Sequence, residues 1–132
     1  MRELVLDASV LATWYHPEGE PNVEAAQRLK AEYERGELLV AVPPLLHVEL
    51  MNLAGRRWRF VEADLLDLAR ALRNLQFTVQ QPDLENVARW TGRGLTAYDA
   101  CYVALAEERR ISLVTADRQM LAIGGPLCIA LA

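Results

Sequence analysis

The sequence predicts an α/β fold in which helices cover both faces of a mainly parallel sheet of about five short strands. Short apolar runs of strand length alternate with helical patterns along the 132 residues. The first run, Leu4-Val5-Leu6, lacks polar alternation, which is typical of a parallel strand buried on both faces. An apolar content of 52% is enough for a real core. We therefore expect residues 1–132 to form one domain, an α/β/α sandwich.

The first strand and the two helices after it follow from simple patterns. Residues 2–7 form a strand that ends in an acid, Asp7, and a short helix over residues 9–15 is broken by a His-Pro-Glu-Gly sequence. We expect Asn22 to cap the next helix, because asparagine accepts hydrogen bonds from free N–H groups at a helix start. Gly36 then ends that helix.

The middle of the chain repeats this alternation. Residues 38–42 predict a second buried strand, and two prolines lead into a helix over residues 45–57, since proline needs no N–H partner in a first turn. Residues 60–75 carry a leucine stripe at helical spacing. A short strand over residues 77–79 and a helix over residues 84–91 complete this part.

The stretch from Leu95 to Met120 contains two of the candidate acids and the strand between them. It predicts a helix that opens with Thr96 and Asp99, a strand over residues 112–115, and another acid, Asp117, just beyond that strand. A last short helix to residue 123, a Gly-Gly-Pro turn and a strand over residues 127–130 follow. This region therefore delivers two carboxylates to places where backbone geometry aims side chains at a cleft.

Composition excludes several kinds of site. Cys101 and Cys128 are too few for a disulfide framework or a zinc site, and His16 and His47 are too few for a histidine-rich metal centre. A net charge of −4 argues against coating nucleic acid by bulk electrostatics. No apolar run approaches a membrane span and the amino terminus lacks a secretory hydrophobic region, so we expect a cytoplasmic protein without a membrane partner.

Four acids are the candidate site residues: Asp7, Glu49, Asp99 and Asp117. In open α/β sheets ligands bind at the carboxyl ends of the strands, where Asp7 and Asp117 lie. Glu49 has apolar neighbours three and four residues away on its helix, and a carboxylate beside an apolar face is costly unless it is paired or bound to a cation. Mg²⁺ and Mn²⁺ prefer such hard oxygen ligands.

Each acid also has a purely structural interpretation, which the sequence leaves open. Asp7 or Ser9 could cap the first helix, Thr96 and Asp99 fit a capping box, and Asp117 could cap the last helix. Glu49 could be an edge residue paired with one of two arginines, Arg56 or Arg57.

Three segments carry a family resemblance. LVLDASV, PPLLHVELMN and LTAYDACYVALAEERRISLVTAD together resemble the PIN-domain nucleases, especially VapC-type toxins, over nearly the whole chain. The acids of the family pattern fall on Asp7, Glu49, Asp99 and Asp117, and its supporting positions fall on Ser9, Asn52 and Thr115. The resemblance implies a PIN-like α/β/α sandwich.

The resemblance also implies a mechanism and partners. It implies a ribonuclease in which Asp7, Asp99 and Glu49 hold Mg²⁺ or Mn²⁺ while Asp117 completes that site or a second one, leaving 5′-phosphate and 3′-hydroxyl ends. VapC-like proteins form homodimers and are neutralised by a VapB-like antitoxin. Phosphate contacts are expected from Arg56, Arg57 and Arg59, although these cations could simply complement a helix end.

Three alternatives remain open at this point. A receiver-like domain could use Asp7 as a phosphoacceptor, but Lys30 is the only lysine and none lies at a late strand end. A catalytically silent PIN domain could serve as an RNA- or protein-binding module. A standalone RNA-processing nuclease would share the site but have no antitoxin.

Overall fold

A computed structural model describes residues 1–132, and its centre is a five-stranded sheet in which every pair of neighbouring strands is parallel. The strand order across the sheet is β3-β2-β1-β4-β5. The strands are β1 (Arg2–Leu6), β2 (Leu38–Val42), β3 (Thr78–Val79), β4 (Ser112–Thr115) and β5 (Cys128–Ala130). The predicted fold class is therefore confirmed, and the sheet is parallel throughout rather than mainly so.

Seven α-helices connect and cover the strands. They are α1 (Ala8–Tyr15), α2 (Val23–Glu34), α3 (Leu45–Arg56), α4 (Glu62–Arg73), α5 (Leu84–Gly92), α6 (Ala97–Arg109) and α7 (Arg118–Gly124). Helix α6 packs against β1 and β4 and carries α5 on its side, while α1 and α2 pack together and α2 covers β2. None of these helices is both long and apolar enough to cross a bilayer.

Three predicted details were wrong, each for a local reason. Asn22 occupies the N-cap position of α2 as predicted, but its backbone is left-handed (φ 60°) and its side chain makes no capping hydrogen bond. The helix expected from residue 60 begins at Glu62, because the Phe60 ring packs beside the stacked rings of His16 and Trp58. The last strand begins at Cys128, since Gly125–Leu127 form a 3-10 turn.

The core is one cluster of 33 buried apolar residues that surrounds β1 and β4. Helix α6 contributes seven consecutive buried residues, from Ala100 to Ala106, because it runs beneath the centre of the sheet. Helix α3 presents Leu46, Leu50 and Ala54 to this core, and these positions repeat at helical spacing.

The strand order places the candidate acids at one crevice. From β1 the chain builds outward through β2 and β3, and it then returns to the other side of β1 with β4 and β5. The direction of winding changes between β1 and β4, which is the topological switch point where α/β sheets bind ligands. Asp7 follows β1 and Asp117 follows β4, so both acids lie at this point.

Candidate active site

Asp7 is the buried centre of the site. It is the residue after β1 and the N-cap of α1, and only 5% of it is exposed. Its Oδ1 accepts hydrogen bonds from the Ser9 backbone N–H (3.1 Å) and the Ser9 hydroxyl (2.5 Å), and its Oδ2 accepts one from the Thr115 hydroxyl (2.5 Å). The capping interpretation is thus correct, and both carboxylate oxygens are held by short polar side chains.

The two hydroxyls that hold Asp7 are themselves held by the backbone beyond β4. The Ser9 hydroxyl accepts a hydrogen bond from the Ala116 N–H (3.3 Å), and the Thr115 hydroxyl accepts one from the Asp117 N–H (3.0 Å). Because each hydroxyl accepts from a backbone N–H, its own proton is directed at Asp7. This network joins the ends of β1 and β4 and fixes the Asp7 carboxylate.

Glu49 reaches the crevice from the second turn of α3. Its Oε1 accepts a hydrogen bond from the Tyr102 hydroxyl (2.5 Å), and Tyr102 is buried within α6. Neither Arg56 nor Arg57 forms an ion pair with Glu49, so the suggested structural pairing is absent. The tyrosine fixes the side chain without neutralising its charge.

Asp99 and Asp117 enter from the starts of α6 and α7. The hydroxyl of Thr96, the N-cap of α6, accepts a hydrogen bond from the Asp99 N–H (3.1 Å), as the capping pattern predicts. Asp117 is the N-cap of α7, and its Oδ1 accepts a hydrogen bond from the Met120 N–H (2.9 Å). Both acids therefore stand at helix amino termini, where the helix dipole favours negative charge.

The charges of these acids act on one another. Burial raises the pKa of Asp7, although the hydrogen bonds from Ser9 and Thr115 oppose the shift. Burial raises the pKa of Glu49, and the charges of Asp99 and Asp7 raise it further against the Tyr102 hydrogen bond. Burial and the charge of Asp117 raise the pKa of Asp99. The four carboxylates thus form one electrostatically coupled group.

This fold and site have counterparts among known proteins. The family model described as "PIN domain" matches residues 4–126. The chain belongs to the PIN-domain family. The resemblance predicted from the sequence is therefore confirmed, and this PIN domain can be compared with relatives of VapC type.

One such relative is Exonuclease VapC9 from Pyrobaculum aerophilum, which is 36% identical to this PIN domain over 85 residues. The match covers 59% of this chain and 64% of the relative, so it spans less than two thirds of that protein. The crystal structure of PAE2754 from Pyrobaculum aerophilum superposes with a TM-score of 0.70 at 30% identity. That match covers 98% of this chain and 90% of the other, so the shared fold extends over nearly the whole molecule.

The donor set of this PIN domain suits a hard divalent cation. None of the five ion pairs in the structure involves Asp7, Glu49, Asp99 or Asp117, so no arginine, lysine or histidine compensates these charges. No three of its acidic, histidine or cysteine side chains are arranged closely enough to form a ready coordination shell. Like charges repel, and a cation is what would draw these oxygen ligands together.

The other predicted residues lie on α3 at different distances from the acids. Asn52 is one turn beyond Glu49 and lines the same open cleft. Arg56, Arg57 and Arg59 are exposed at or beyond the carboxyl end of α3, about two turns from Glu49. Asn52 therefore shares a cleft with Glu49, whereas the three arginines lie apart from it at the other end of the helix.

Sequence reasoning missed Tyr102 and Tyr98. Tyr102 lies three residues after Asp99, and this spacing puts both side chains on the same side of α6. A buried tyrosine needs a partner for its hydroxyl, which could have pointed to a nearby acid. Tyr98 is 67% exposed in the first turn of α6 and lines the cleft beside Glu49.

Proposed function

We propose that this PIN domain is a metal-dependent endoribonuclease that cleaves RNA phosphodiester bonds through a carboxylate-bound Mg²⁺ or Mn²⁺ site. The observation that supports the proposal is a set of four acids without cationic partners. Asp7 and Asp117 follow the strands on either side of the switch point, and burial together with the charges of the other acids raises the pKa of Glu49 and of Asp99. Membership of the PIN family and the likeness to a protein named as an exonuclease support nuclease chemistry.

Each residue has a role in this proposal. Asp7, Glu49 and Asp99 hold the cation, and Asp117 completes the same site or a second one. When bound, the cation supplies an acidic water and offsets charge on the phosphate. The chain itself orients the ligands: Ser9 and Thr115 direct both oxygens of Asp7, as their hydrogen bonds to it indicate.

The wider role follows from the VapC resemblance and belongs to the same proposal. RNA is the substrate, with Arg56, Arg57 and Arg59 contacting phosphates beyond the cut bond. The protein is a homodimeric toxin inhibited by a VapB-like antitoxin. A small DNA-binding protein encoded immediately upstream would support such a pair, whereas its absence would favour a standalone RNA-processing enzyme.

The test uses two RNA substrates of the same sequence, one linear with a 5′ label and one covalently closed. We expect purified protein to cut both with Mg²⁺ or Mn²⁺ and to cut neither with EDTA, and we expect Asp7→Asn and Glu49→Gln to be inactive. Asp67→Asn, which alters an exposed acid on α4, is the matched control and should remain active. Cutting that survives Asp7→Asn would show that another protein is responsible.

Two alternatives have distinct outcomes in the same assay. The name of the VapC9 relative makes exonuclease activity the second candidate. An exonuclease would shorten the linear RNA and leave the closed circle intact, because a circle has no end. Folded protein that binds RNA but cuts neither substrate would instead be a binding module.

The proposed dimer has its own measurement. Sedimentation of the purified protein should give a mass near twice the 14.8 kDa of one chain. A mass of one chain across the micromolar range would contradict the homodimer while leaving the nuclease proposal standing.

A further inference from the structure

An open cleft of about 410 Å³ lies directly beside Glu49. Its walls are Leu45, Val48, Glu49 and Asn52 from α3 and Tyr98 from α6. The four α3 positions follow the spacing of one helix face, so this wall is a single stripe of the helix. Leu45 also packs against the core, whereas Val48 and Asn52 are exposed, so the outer part of this stripe is open to solvent.

Two large apolar side chains in this cleft are left open to solvent. Val48 is 72% exposed and Tyr98 is 67% exposed. Single exposed apolar residues are ordinary on protein surfaces. These two, however, line one concave site together with a candidate metal ligand and an amide side chain, which is the composition of a small-molecule pocket.

The charge of the cleft restricts what it can accept. Glu49 is the only charged side chain that lines it, and no lysine, arginine or histidine does. A phosphate or an acidic peptide would be repelled there, whereas a neutral planar group would meet an aromatic ring, two aliphatic side chains and an amide. A nucleobase is such a group, since every base has a face that stacks on aromatic rings.

We propose that Tyr98 and Val48 bind the nucleobase next to the cut phosphodiester bond, with Asn52 contacting its polar edge. The inference rests on the proposed nuclease function, because Glu49 belongs to both the cleft and the acidic group. A base held here would have its own phosphate next to the acids. Base-paired RNA keeps its bases stacked inside a helix, so this site accepts unpaired RNA.

The amide of Asn52 adds a second element of recognition. It offers two N–H donors and a carbonyl acceptor, which can pair with the donors and acceptors on a base edge. The aromatic ring tolerates any base, whereas the amide distinguishes among them. Tyr98 thus contributes affinity and Asn52 contributes the choice of base.

The test compares Tyr98→Ala, Tyr98→Trp and wild-type protein in cleavage of fluorescein-labelled single-stranded RNA 12-mers with Mn²⁺. Loss of one stacked base should raise KM about fivefold or more while kcat changes little, and tryptophan should preserve the wild-type KM. Leu84→Ala is the control for loss of exposed apolar surface, because Leu84 is 76% exposed at the start of α5. It should behave as wild type.

A series of 12-mers with one abasic position makes the result specific. The effect of Tyr98→Ala should vanish for the one substrate that lacks the bound base and persist for the others. An unchanged KM for Tyr98→Ala, or an effect equal for every abasic substrate, overturns the inference while cleavage by wild-type protein preserves the proposed function. Wild-type protein that cuts no RNA overturns the proposed function and the inference together.

A second copy of the chain is the competing occupant. If Tyr98→Ala or Val48→Ala lowers the sedimentation mass from two chains to one, a protein interface covers the cleft and the base-binding inference fails. We expect both variants to keep the wild-type mass.

Discussion

Replacing Thr115 by valine should weaken the fold through a single lost hydroxyl. Thr115 is buried, and its hydroxyl donates to Asp7 and accepts from the Asp117 N–H. A hydrogen bond to a charged group contributes about 1.5–3 kcal/mol, and a buried N–H left without a partner costs about 1 kcal/mol or more. We expect the free energy of unfolding to fall by about 2–4 kcal/mol, which lowers Tm by about 8–16 °C in a domain of this size.

Thr13→Val is the matched control, since Thr13 is equally buried and lies in α1, the helix whose N-cap is Asp7. The Thr13 hydroxyl donates only to the Ser9 backbone carbonyl (3.1 Å), a neutral acceptor. Its loss should cost about 0.5–1.5 kcal/mol. Thr115→Ser keeps the hydroxyl and should recover most of the stability that valine loses.

The assay is urea unfolding of metal-free protein at pH 7.5 and pH 4.5. Burial raises the pKa of Asp7, and the Thr115 hydroxyl opposes this rise, so the variant has an even higher folded-state pKa. A raised acid pKa destabilises the fold above that pKa, and the penalty disappears below the unfolded value near 3.8. The cost of Thr115→Val should therefore be smaller at pH 4.5. Equal costs for the two valine variants at pH 7.5 would refute the role assigned to Thr115.

Three further predictions test the neighbouring contacts. Asp99→Asn removes one of the mutually repelling charges and should raise the Tm of EDTA-treated protein by about 2–5 °C. Adding Mn²⁺ should then raise the Tm of this variant less than it raises that of the wild type. A lower Tm without metal would contradict the predicted repulsion. Tyr102→Phe frees Glu49 and should weaken Mn²⁺ binding about tenfold by calorimetry, and unchanged affinity would exclude a positioning role. Gly124→Ala places a Cβ against the Cys128 sulfur and should lower the free energy of unfolding by about 1–3 kcal/mol. In thermal melts, adding Cys128→Ala should recover part of this loss. No recovery in the double variant would show that the Cys128 sulfur is not the clashing atom.

The sheet and the positions of the acids were predictable because they depend on short-range patterns. An apolar run followed by an acid, such as the one before Asp7, indicates both that the strand is buried and that the acid lies at its carboxyl end. The contacts between elements were less predictable, since nothing local connects Tyr102 to Glu49 across 53 residues. Asn22 shows the same limit at short range: its residue type suits a cap, but its backbone is left-handed and its side chain makes no capping hydrogen bond.

Sequence patterns alone could not distinguish the candidate site residues from ordinary helix-capping acids. Asp7 and Asp117 are helix N-caps, and the backbone N–H of Asp99 is capped by Thr96, so these structural roles are real and do not exclude a second role for the acids. What distinguishes them is that no cation neutralises any of them, a property of side chains brought together by tertiary packing. Sequence spacing could suggest that these acids lie near one another, but the pairing of β1 with β4 is what brings Asp7 and Asp117 to the same edge of the sheet.

The hydrogen bond between Thr115 and Asp7 joins positions 108 residues apart, and this separation has a consequence for how the protein is synthesised. Strands β1 and β2 can pair early on the ribosome, because only one helical connection separates α1 from β2. The partner of β1 on its other side arrives only after α6 has been made. Asp7 therefore lacks one of its two hydroxyl donors until β4 has been made. On the nuclease proposal, a nascent chain that ends before β4 has an incompletely held Asp7, and we expect it not to cleave RNA.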